Sequence, residues 1–363
     1  MTEPAGIEHF TQWRSLRFGD REITEGIVVG GNATPSPELE QFLEEWDGTY
    51  YVEPMSSGRR YVLLRETKPR AERWWLHIAL LIITAVTTSL AGAIMLGLTD
   101  GWTMRPSLAV IATGGQFALP LLAILLAHES GHYVTARRYR VDVSPPFFIP
   151  FAPQLNIIGT LGAFIRLRSP VFDRRTLFDI GVAGPLAGLV EAIPLLAAGL
   201  HLSTVAPLVS PEVAAHQFIA LGGDRVYMGD SLLLWGLRHL FAPAGSVLQL
   251  HALAVAGWVG LVVTMLNMLP LSQLDGGHVV FAMFGKRQTL VATLFWLTLL
   301  PLGRLWPGWW MWAVIALLLG RGRLSHPRIV TAERPLSPGR QRLGYVALVL
   351  FVLTFTPAPL LIR

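Results

Sequence analysis

The sequence predicts a polytopic α-helical membrane protein with about six to seven transmembrane segments and a small N-terminal α/β domain. Hydrophobic residues occupy 52% of the 363 positions and charged residues only 15%, whereas soluble domains carry about 25% charged residues. Of the 24 acidic residues, 13 precede position 73. This division predicts an α/β domain at residues 1–72 and a membrane-embedded core at residues 73–363.

The N-terminal domain shows the strand and helix signals of a compact α/β unit. The segment EGIVVGG at 25–31 indicates a strand, and the segment 36–46 indicates a helix that Ser36 caps. Residues 49–55 and 59–66 flank the turn SSG and indicate a β-hairpin. About 50 residues provide only a marginal hydrophobic core.

Apolar segments dominate the rest of the chain. A transmembrane helix needs about 20 residues, so the segments 288–301 and 308–320 are short and form either two tilted spans or one re-entrant hairpin. The segment 231–241 is too short to cross and indicates an interfacial or half-inserted helix. The apolar segments lie at residues 74–98, 107–136, 177–201, 250–269, 288–301, 308–320 and 342–360.

The distribution of Lys and Arg predicts the orientation of these segments. Most basic residues fall in loops on one side, which we expect to be cytoplasmic together with the N-terminus, in a prokaryotic plasma (inner) membrane. Because the basic residues flank apolar spans, we interpret the net charge of +5 as a topology signal and expect no nucleic-acid partner. The basic residues of the expected cytoplasmic side are Lys68, Arg70, Arg73, Arg137, Arg138, Arg140, Arg166, Arg168, Arg174, Arg175, Lys286, Arg287, Arg321, Arg323, Arg328, Arg334, Arg340 and Arg342, and those of the opposite side are Arg105, Arg225, Arg238, Arg304 and Arg363.

The motif LAHESGHYV carries the clearest chemistry in the sequence. It places His128 and His132 four residues apart at the end of an apolar helix, with Glu129 between them. Residues four apart lie on one face of a helix, so both imidazoles can bind one ion while Glu129 reaches a water molecule beside it. Ionisable groups within apolar segments are costly and usually functional. The chain has no Cys, so any metal ligands must be His or carboxylate.

A catalytic zinc takes three protein ligands, and Asp275 is the best candidate for the third. Among the later acidic residues, only Glu191 and Asp275 are embedded in apolar sequence. Pro270 interrupts the helix before Asp275, and an interrupted helix can direct a carboxylate into a cavity. Glu191 lies in the middle of a span without such features. His278 is either a ligand, a partner of a ligand, or a hydrogen-bonded helix residue.

Three motifs together resemble the site-2 protease family of intramembrane zinc proteases. HESGH, FDIGVAGPLAG at 178–188 and NMLPLSQLDGG at 267–277 occur in the order and spacing of that family. The resemblance is greatest to the branch found in cyanobacteria, other bacteria and plant plastids, and it extends to PPFFIP at 145–150 and to HALAVAGWVGL at 251–261.

The resemblance implies specific roles for several residues. His128, His132 and Asp275 would bind one Zn²⁺ per chain, with Glu129 as the catalytic base, and Asn267 would position substrate near the metal. The family's glycine-rich motif often ends in Asn, whereas this chain has Gly188, which removes any hydrogen bond from that side chain.

The apolar segment 141–168 contains several prolines and glycines, which favour extended backbone over a spanning helix. Members of the family hold substrate with strand-like segments here. A structural loop packed on the helices is the alternative.

The predicted function is hydrolysis of peptide bonds in or near transmembrane segments by a membrane-embedded metalloprotease core. The partners we expect are a membrane-anchored protein or peptide substrate and the lipid bilayer. One alternative is a non-proteolytic membrane binding protein that retains the metal site, which the presence of Glu129 disfavours. Another is a metal transporter, which would require polar residues on several spans, and these spans are nearly free of them.

Overall fold

A computed structural model gives the architecture of the chain, which divides into two compact units at Met1–Arg73 and Trp74–Arg363. The end of the predicted strand at 30–31 and the turn at 56–57 lie outside the described residues, as do the basic residues at 68, 70, 105, 140, 328, 334 and 363. The structure describes residues 7–18, 21–29, 35–55, 58–66, 72–98, 107–139, 141–168, 171, 173–206, 217–221, 224–241, 246–326, 329 and 335–362.

The first unit is an antiparallel sheet covered by one helix. Its strands follow the order β1-β2-β4-β3, and Leu39 and Leu43 of the helix pack with Tyr61 and Leu63 of the sheet. The hydroxyl of Ser36 accepts a hydrogen bond from the N–H of Leu39 at 3.2 Å, as its N-cap position predicts. The elements are β1 (Gln12–Phe18), β2 (Arg21–Val29), α1 (Pro37–Glu45), β3 (Thr49–Met55) and β4 (Gly58–Glu66). Strand β1 was not predicted.

Helices dominate the second unit. In the described part of the chain, three of them, α2 to α4, are long and apolar enough to cross a membrane by length and composition. A helix occupies each of the seven predicted apolar segments, and the number that crosses a membrane stays a prediction. The helices are α2 (Trp74–Met95), α3 (Leu108–Arg138), α4 (Arg174–Leu202), α5 (Leu232–Phe241), α6 (Ala252–Asn267), α7 (Asp275–Phe284), α8 (Gln288–Leu302), α9 (Gly308–Leu319) and α10 (Pro338–Thr354).

Small residues bring α3, α4 and α6 into close contact. A Cβ atom at Gly131 of α3 would lie 2.5 Å from the carbonyl oxygen of Ala183 on α4. A Cβ atom at Gly199 of α4 would lie 2.1 Å from the backbone nitrogen of Ala254 on α6. The backbones therefore pack at distances that only glycine permits, which is a common arrangement of helices in membranes.

The segment predicted to be extended forms a β-hairpin beside α2 and α3. Strand β5 (Phe147–Pro150) pairs antiparallel with β6 (Thr160–Phe164). A ring nitrogen of His77 on α2 lies 3.0 Å from the carbonyl oxygen of Pro146, and the hydroxyl of Thr87 donates to the carbonyl oxygen of Gly159 at 2.8 Å. These bonds fix the hairpin to α2, and β6 contacts α3.

A five-stranded sheet that the sequence did not predict completes the second unit. Its strands follow the order β11-β9-β8-β10-β7 and come from distant parts of the chain. They are β7 (Thr204–Ala206), β8 (Gln217–Leu221), β9 (Asp224–Met228), β10 (Val247–Gln249) and β11 (Leu360–Ile362). Helix α5, the predicted interfacial helix, follows β9 in this region.

Candidate metal centre

Helix α3 presents His128 and His132 on one face, as their spacing predicts. Their Nε2 atoms lie 3.1 Å apart, and both side chains are buried, with exposed fractions of 3% and 6%. A Cβ atom at Gly184 of α4 would lie 2.1 Å from Nε2 of His132. The absence of a side chain at Gly184 therefore makes room for this imidazole.

The first residue of α7, Asp275, brings a carboxylate to the same point. Its Oδ2 atom lies 3.2 Å from Nε2 of His128 and 3.2 Å from Nε2 of His132. Helix α6 ends at Asn267, and the chain turns through Pro270 before α7 begins. The carboxylate thus extends from a helix N-terminus into the space between α3 and α4.

These three side chains fit a zinc ion. Nδ1 of His132 lies 2.8 Å from the carbonyl oxygen of Ile180, which can only accept, so Nδ1 carries the proton and Nε2 of the neutral ring has a free lone pair. That lone pair faces the Asp275 carboxylate and Nε2 of His128. All three of these atoms can act as hydrogen-bond acceptors. A cation satisfies such a cluster, and two imidazoles with one carboxylate suit zinc. Within the described residues, one ligand atom from each of these three side chains lies within 4.8 Å of the others.

Glu129 lies beside this cluster and near the β-hairpin. Its side chain is 5% exposed. The backbone N–H of Ile165, directly after β6, lies near the carboxylate. A buried carboxylate next to a metal centre can exchange a proton with a water molecule held there. The carboxylate is therefore close to the strand that was predicted to hold substrate.

Asn267 and Gly188 both lie next to His128. The Nδ2 atom of Asn267 is 3.3 Å from Nε2 of His128. A Cβ atom at Gly188 would lie 3.2 Å from Nδ1 of His128 and 3.3 Å from the hydroxyl of Thr264. Nδ1 of His128 is buried and has no hydrogen-bond partner in the described part of the chain. The Asn267 amide therefore reaches the centre itself, whereas Gly188 contributes space.

The two alternative ligands lie apart from the cluster. Among the described residues, no group of three metal-binding side chains includes Glu191 or His278. Nδ1 of His278 instead lies 2.7 Å from Nε2 of His326, in the connection between α9 and α10. Sequence reasoning did not identify His326, Thr264 or the backbone groups of Ile180 and Ile165. Only His326 has a residue type that could have suggested a role.

The candidate metal ligands lie in a part of the sequence that matches a known protein family. Residues 116–297 match Peptidase family M50, and this half of the chain contains all three candidate ligands and Glu129. No solved structure matches the chain.

Plant proteins resemble the chain over most of its length. The probable chloroplastic zinc metalloprotease EGY1 of Oryza sativa subsp. japonica is 31% identical over 343 residues, which cover 82% of this chain and 56% of that protein. The protein of the same name from Arabidopsis thaliana is 30% identical over 406 residues, covering 97% of this chain and 69% of that protein. The probable chloroplastic zinc metalloprotease EGY2 of Arabidopsis thaliana is 29% identical over 259 residues, covering 70% and 43%. The chain therefore spans only part of the length of these relatives.

The predicted location in a prokaryotic plasma (inner) membrane with a cytoplasmic N-terminus is wrong. These relatives are named as chloroplastic plant proteins, which points to a plastid membrane. The prediction failed because the distribution of Lys and Arg indicates an orientation and contains no information about which membrane holds the protein.

Proposed function

Because this chain belongs to peptidase family M50, the site-2 protease family, we propose that it is an intramembrane zinc endopeptidase that cleaves membrane-anchored substrates in or near their transmembrane segments. The observation that carries the proposal is the convergence of His128, His132 and Asp275 within 4.8 Å beside Glu129, at the end of an apolar helix. Membership of the family confirms the predicted resemblance, and with it the predictions of a zinc-dependent protease and of zinc as cofactor.

The metal site consists of His128, His132 and Asp275. These residues would hold one zinc ion that acts as a Lewis acid on the scissile carbonyl group and lowers the pKa of a bound water. The carbonyl oxygen of Ile180 holds His132 in the tautomer that leaves Nε2 free for the metal. Burial of the imidazoles excludes bulk water and strengthens these electrostatic interactions.

Glu129 acts as the general base and then as the general acid. Its carboxylate accepts the proton of the attacking water and later delivers that proton to the leaving amine. The N–H of Ile165, directly after β6, lies near this carboxylate. The base is therefore close to the hairpin.

The β-hairpin and Asn267 would hold the substrate. A transmembrane helix must unwind before its amide bonds can be attacked, and a strand edge can pair with the freed N–H and C=O groups. Strand β6 contacts α3 and ends one residue before Ile165, whose N–H lies near the Glu129 carboxylate. A substrate strand beside β6 would thus approach the base, and the Asn267 amide lies beside His128.

The substrate and location follow from the setting of the site. Helices α2, α3 and α4 are long and apolar enough to cross a membrane, and His128 to His132 lie within α3. A substrate reaches a site inside such a helix most directly when its own cleaved segment lies in the membrane. The names of the plant relatives support a plastid membrane as the location.

The test compares cleavage of single-span membrane peptides by the purified chain in lipid vesicles. Glu129→Gln keeps the shape of the side chain but removes the base, so hydrolysis should fall by about 10²-fold or more while zinc content stays unchanged. Glu191→Gln, a matched change in α4, should cleave normally. Cleavage by Glu129→Gln near the wild-type rate would refute the mechanism. Retention of membrane peptides by the wild type without any cleavage would favour the non-proteolytic binding protein.

A further inference from the structure

The turn before Asp275 is held by close backbone contacts. Ser272 adopts a φ of 42°, which is uncommon for a residue other than glycine, and it is 1% exposed. A Cβ atom at Gly276 would lie 1.9 Å from the carbonyl oxygen of Met268, and one at Gly277 would lie 2.4 Å from that of Ser272. The first turn of α7 therefore packs so closely on the preceding turn that a methyl group at either glycine would displace the helix.

A buried polar network joins this turn to residues 320–326, the described first part of the connection between α9 and α10. The N–H of Ser272 donates to the carbonyl oxygen of Leu324 at 3.3 Å, and the side-chain amide of Gln288 donates to the same oxygen at 3.2 Å. The Gln288 side-chain oxygen accepts from the N–H of His326 at 3.0 Å. Gln288 is 1% exposed and His326 is 9% exposed. Because buried polar groups are costly to leave unpaired, this network fixes its members relative to one another.

The same network reaches α7 through the side chain of His326. Its Nε2 atom lies 2.7 Å from Nδ1 of His278, and its ring stacks on Phe281 with centroids 4.4 Å apart. His278 and Phe281 lie on one face of α7, three and six residues after Asp275. On the α4 side, a Cβ atom at Gly181 would lie 3.0 Å from Cβ of His278. Helix α7 is thus held between α4 and the connection.

We propose that His326 and His278 are positioning residues for the metal centre. Residues 320–326 hold the first turns of α7 against α4, which keeps the Asp275 carboxylate next to His128 and His132. Neither positioning residue belongs to the group of converging ligand atoms. The inference rests on the proposed zinc site, and it assigns a function to His278, which the site does not use as a ligand.

The affinity for zinc tests this inference independently of proteolysis. The dissociation constant is measured by chelator competition on the purified full chain in detergent for the wild type, His326→Ala and His326→Gln. Loss of groups that orient metal ligands typically weakens binding 10- to 100-fold, so His326→Ala should raise the dissociation constant about tenfold. His326→Gln, whose amide can still bond to His278, should restore much of the affinity. The rise in unfolding temperature that zinc produces in each variant, measured against the zinc-free form of the same variant, should shrink in parallel. Loss of the buried contacts of His326 should also lower the zinc-free temperature.

His239→Ala is the matched control. His239 also combines a hydrogen bond, to the carbonyl oxygen of Trp235 at 2.7 Å, with a ring contact at 4.4 Å, but it lies on α5 outside the network. Its loss should leave zinc affinity unchanged.

Wild-type affinity in His326→Ala would overturn the inference. If that variant does not fold, His278→Asn replaces it under the same criterion. A wild-type chain that binds no zinc would refute the proposed function itself, whereas tight binding that none of the variants changes would refute only the positioning role.

Discussion

The Nε2 atoms of His128 and His132 both lie 3.2 Å from a single oxygen, Oδ2 of Asp275, although 143 residues separate His132 from Asp275 in the chain. The two histidines come from the C-terminal part of α3, and the carboxylate comes from the first residue of α7. The site therefore exists only when α4 and the turn before α7 hold these two helices together. A change that moves α7 relative to α3 should therefore weaken the affinity of the site for metal.

Removing one of the three ligands should remove the zinc. Asp275→Ala leaves two imidazoles, so affinity should fall by more than the roughly 100-fold that loss of an orienting group can cause. Glu191→Ala, which removes the other acid embedded in an apolar segment, should not change it. Elemental analysis of the purified chain measures the zinc content. A normal zinc content in Asp275→Ala would exclude this carboxylate as a ligand.

Adding a methyl group at Gly184 should also disrupt the metal centre. Its Cβ atom would lie 2.1 Å from Nε2 of His132, so the ring must move from the position where it faces Asp275. Gly184→Ala should therefore lose both zinc and activity. Gly115→Ala is the control, because a Cβ atom at Gly115 of α3 meets no atom within 4 Å. Equal zinc binding by both variants would contradict the need for a glycine at position 184.

Asn267 should affect substrate capture more than metal binding. If its amide holds the unwound substrate beside His128, the Glu129→Gln variant should co-purify with uncleaved membrane peptide, and adding Asn267→Ala should release that peptide. Zinc content should be similar in the single and double variants. Mass spectrometry of the co-purified peptides measures the difference. Equal retention by the two variants would argue against a substrate-positioning role.

The stability of the N-terminal unit should depend on pH through Glu25. Its hydrogen bond with Arg14, together with the charge of Arg60 at 2.8 Å, lowers the pKa of Glu25 below its usual range. The ion pairs therefore stabilise the folded unit above the ordinary glutamate pKa of about 4.3, and this stabilisation is lost as the pH falls through the lower folded-state value. Added salt should weaken it, since Arg14 is largely exposed.

Thermal unfolding of the full chain and of Glu25→Gln measures this effect. The difference between them should be present at pH 7 and should shrink in acid. A difference that does not change with pH would contradict the assignment.

The sequence predicted the helices better than the strands. Long apolar runs can be satisfied in a membrane core only by helices or closed barrels, so the helix positions followed from hydropathy alone. The five-stranded sheet was missed because its strands have three to five residues, too few to show a periodic pattern. Strand β1 mixes polar and apolar residues without regular alternation and is defined by its pairing with β2.

The candidate site was predictable only where side-chain type carries the chemistry. His128 and His132 could be paired from their spacing, and Asp275 from its place after an interrupted helix. The carbonyl group of Ile180 and the N–H of Ile165 could not be predicted, because every residue other than proline has the same backbone groups. His326 lies 48 residues after His278, and no local pattern relates the two.

The pairing of β11 with β9 has a consequence for the biogenesis of the protein. Strand β9 contains residues 224–228 and β11 contains residues 360–362, so helices α5 to α10 are all synthesised between them. Until the last of these helices has been inserted, β9 presents an open edge that another chain could occupy. Completion of the sheet thus depends on the synthesis of all of these helices, and truncation before residue 360 should leave a protein prone to aggregation even though its metal ligands are all present.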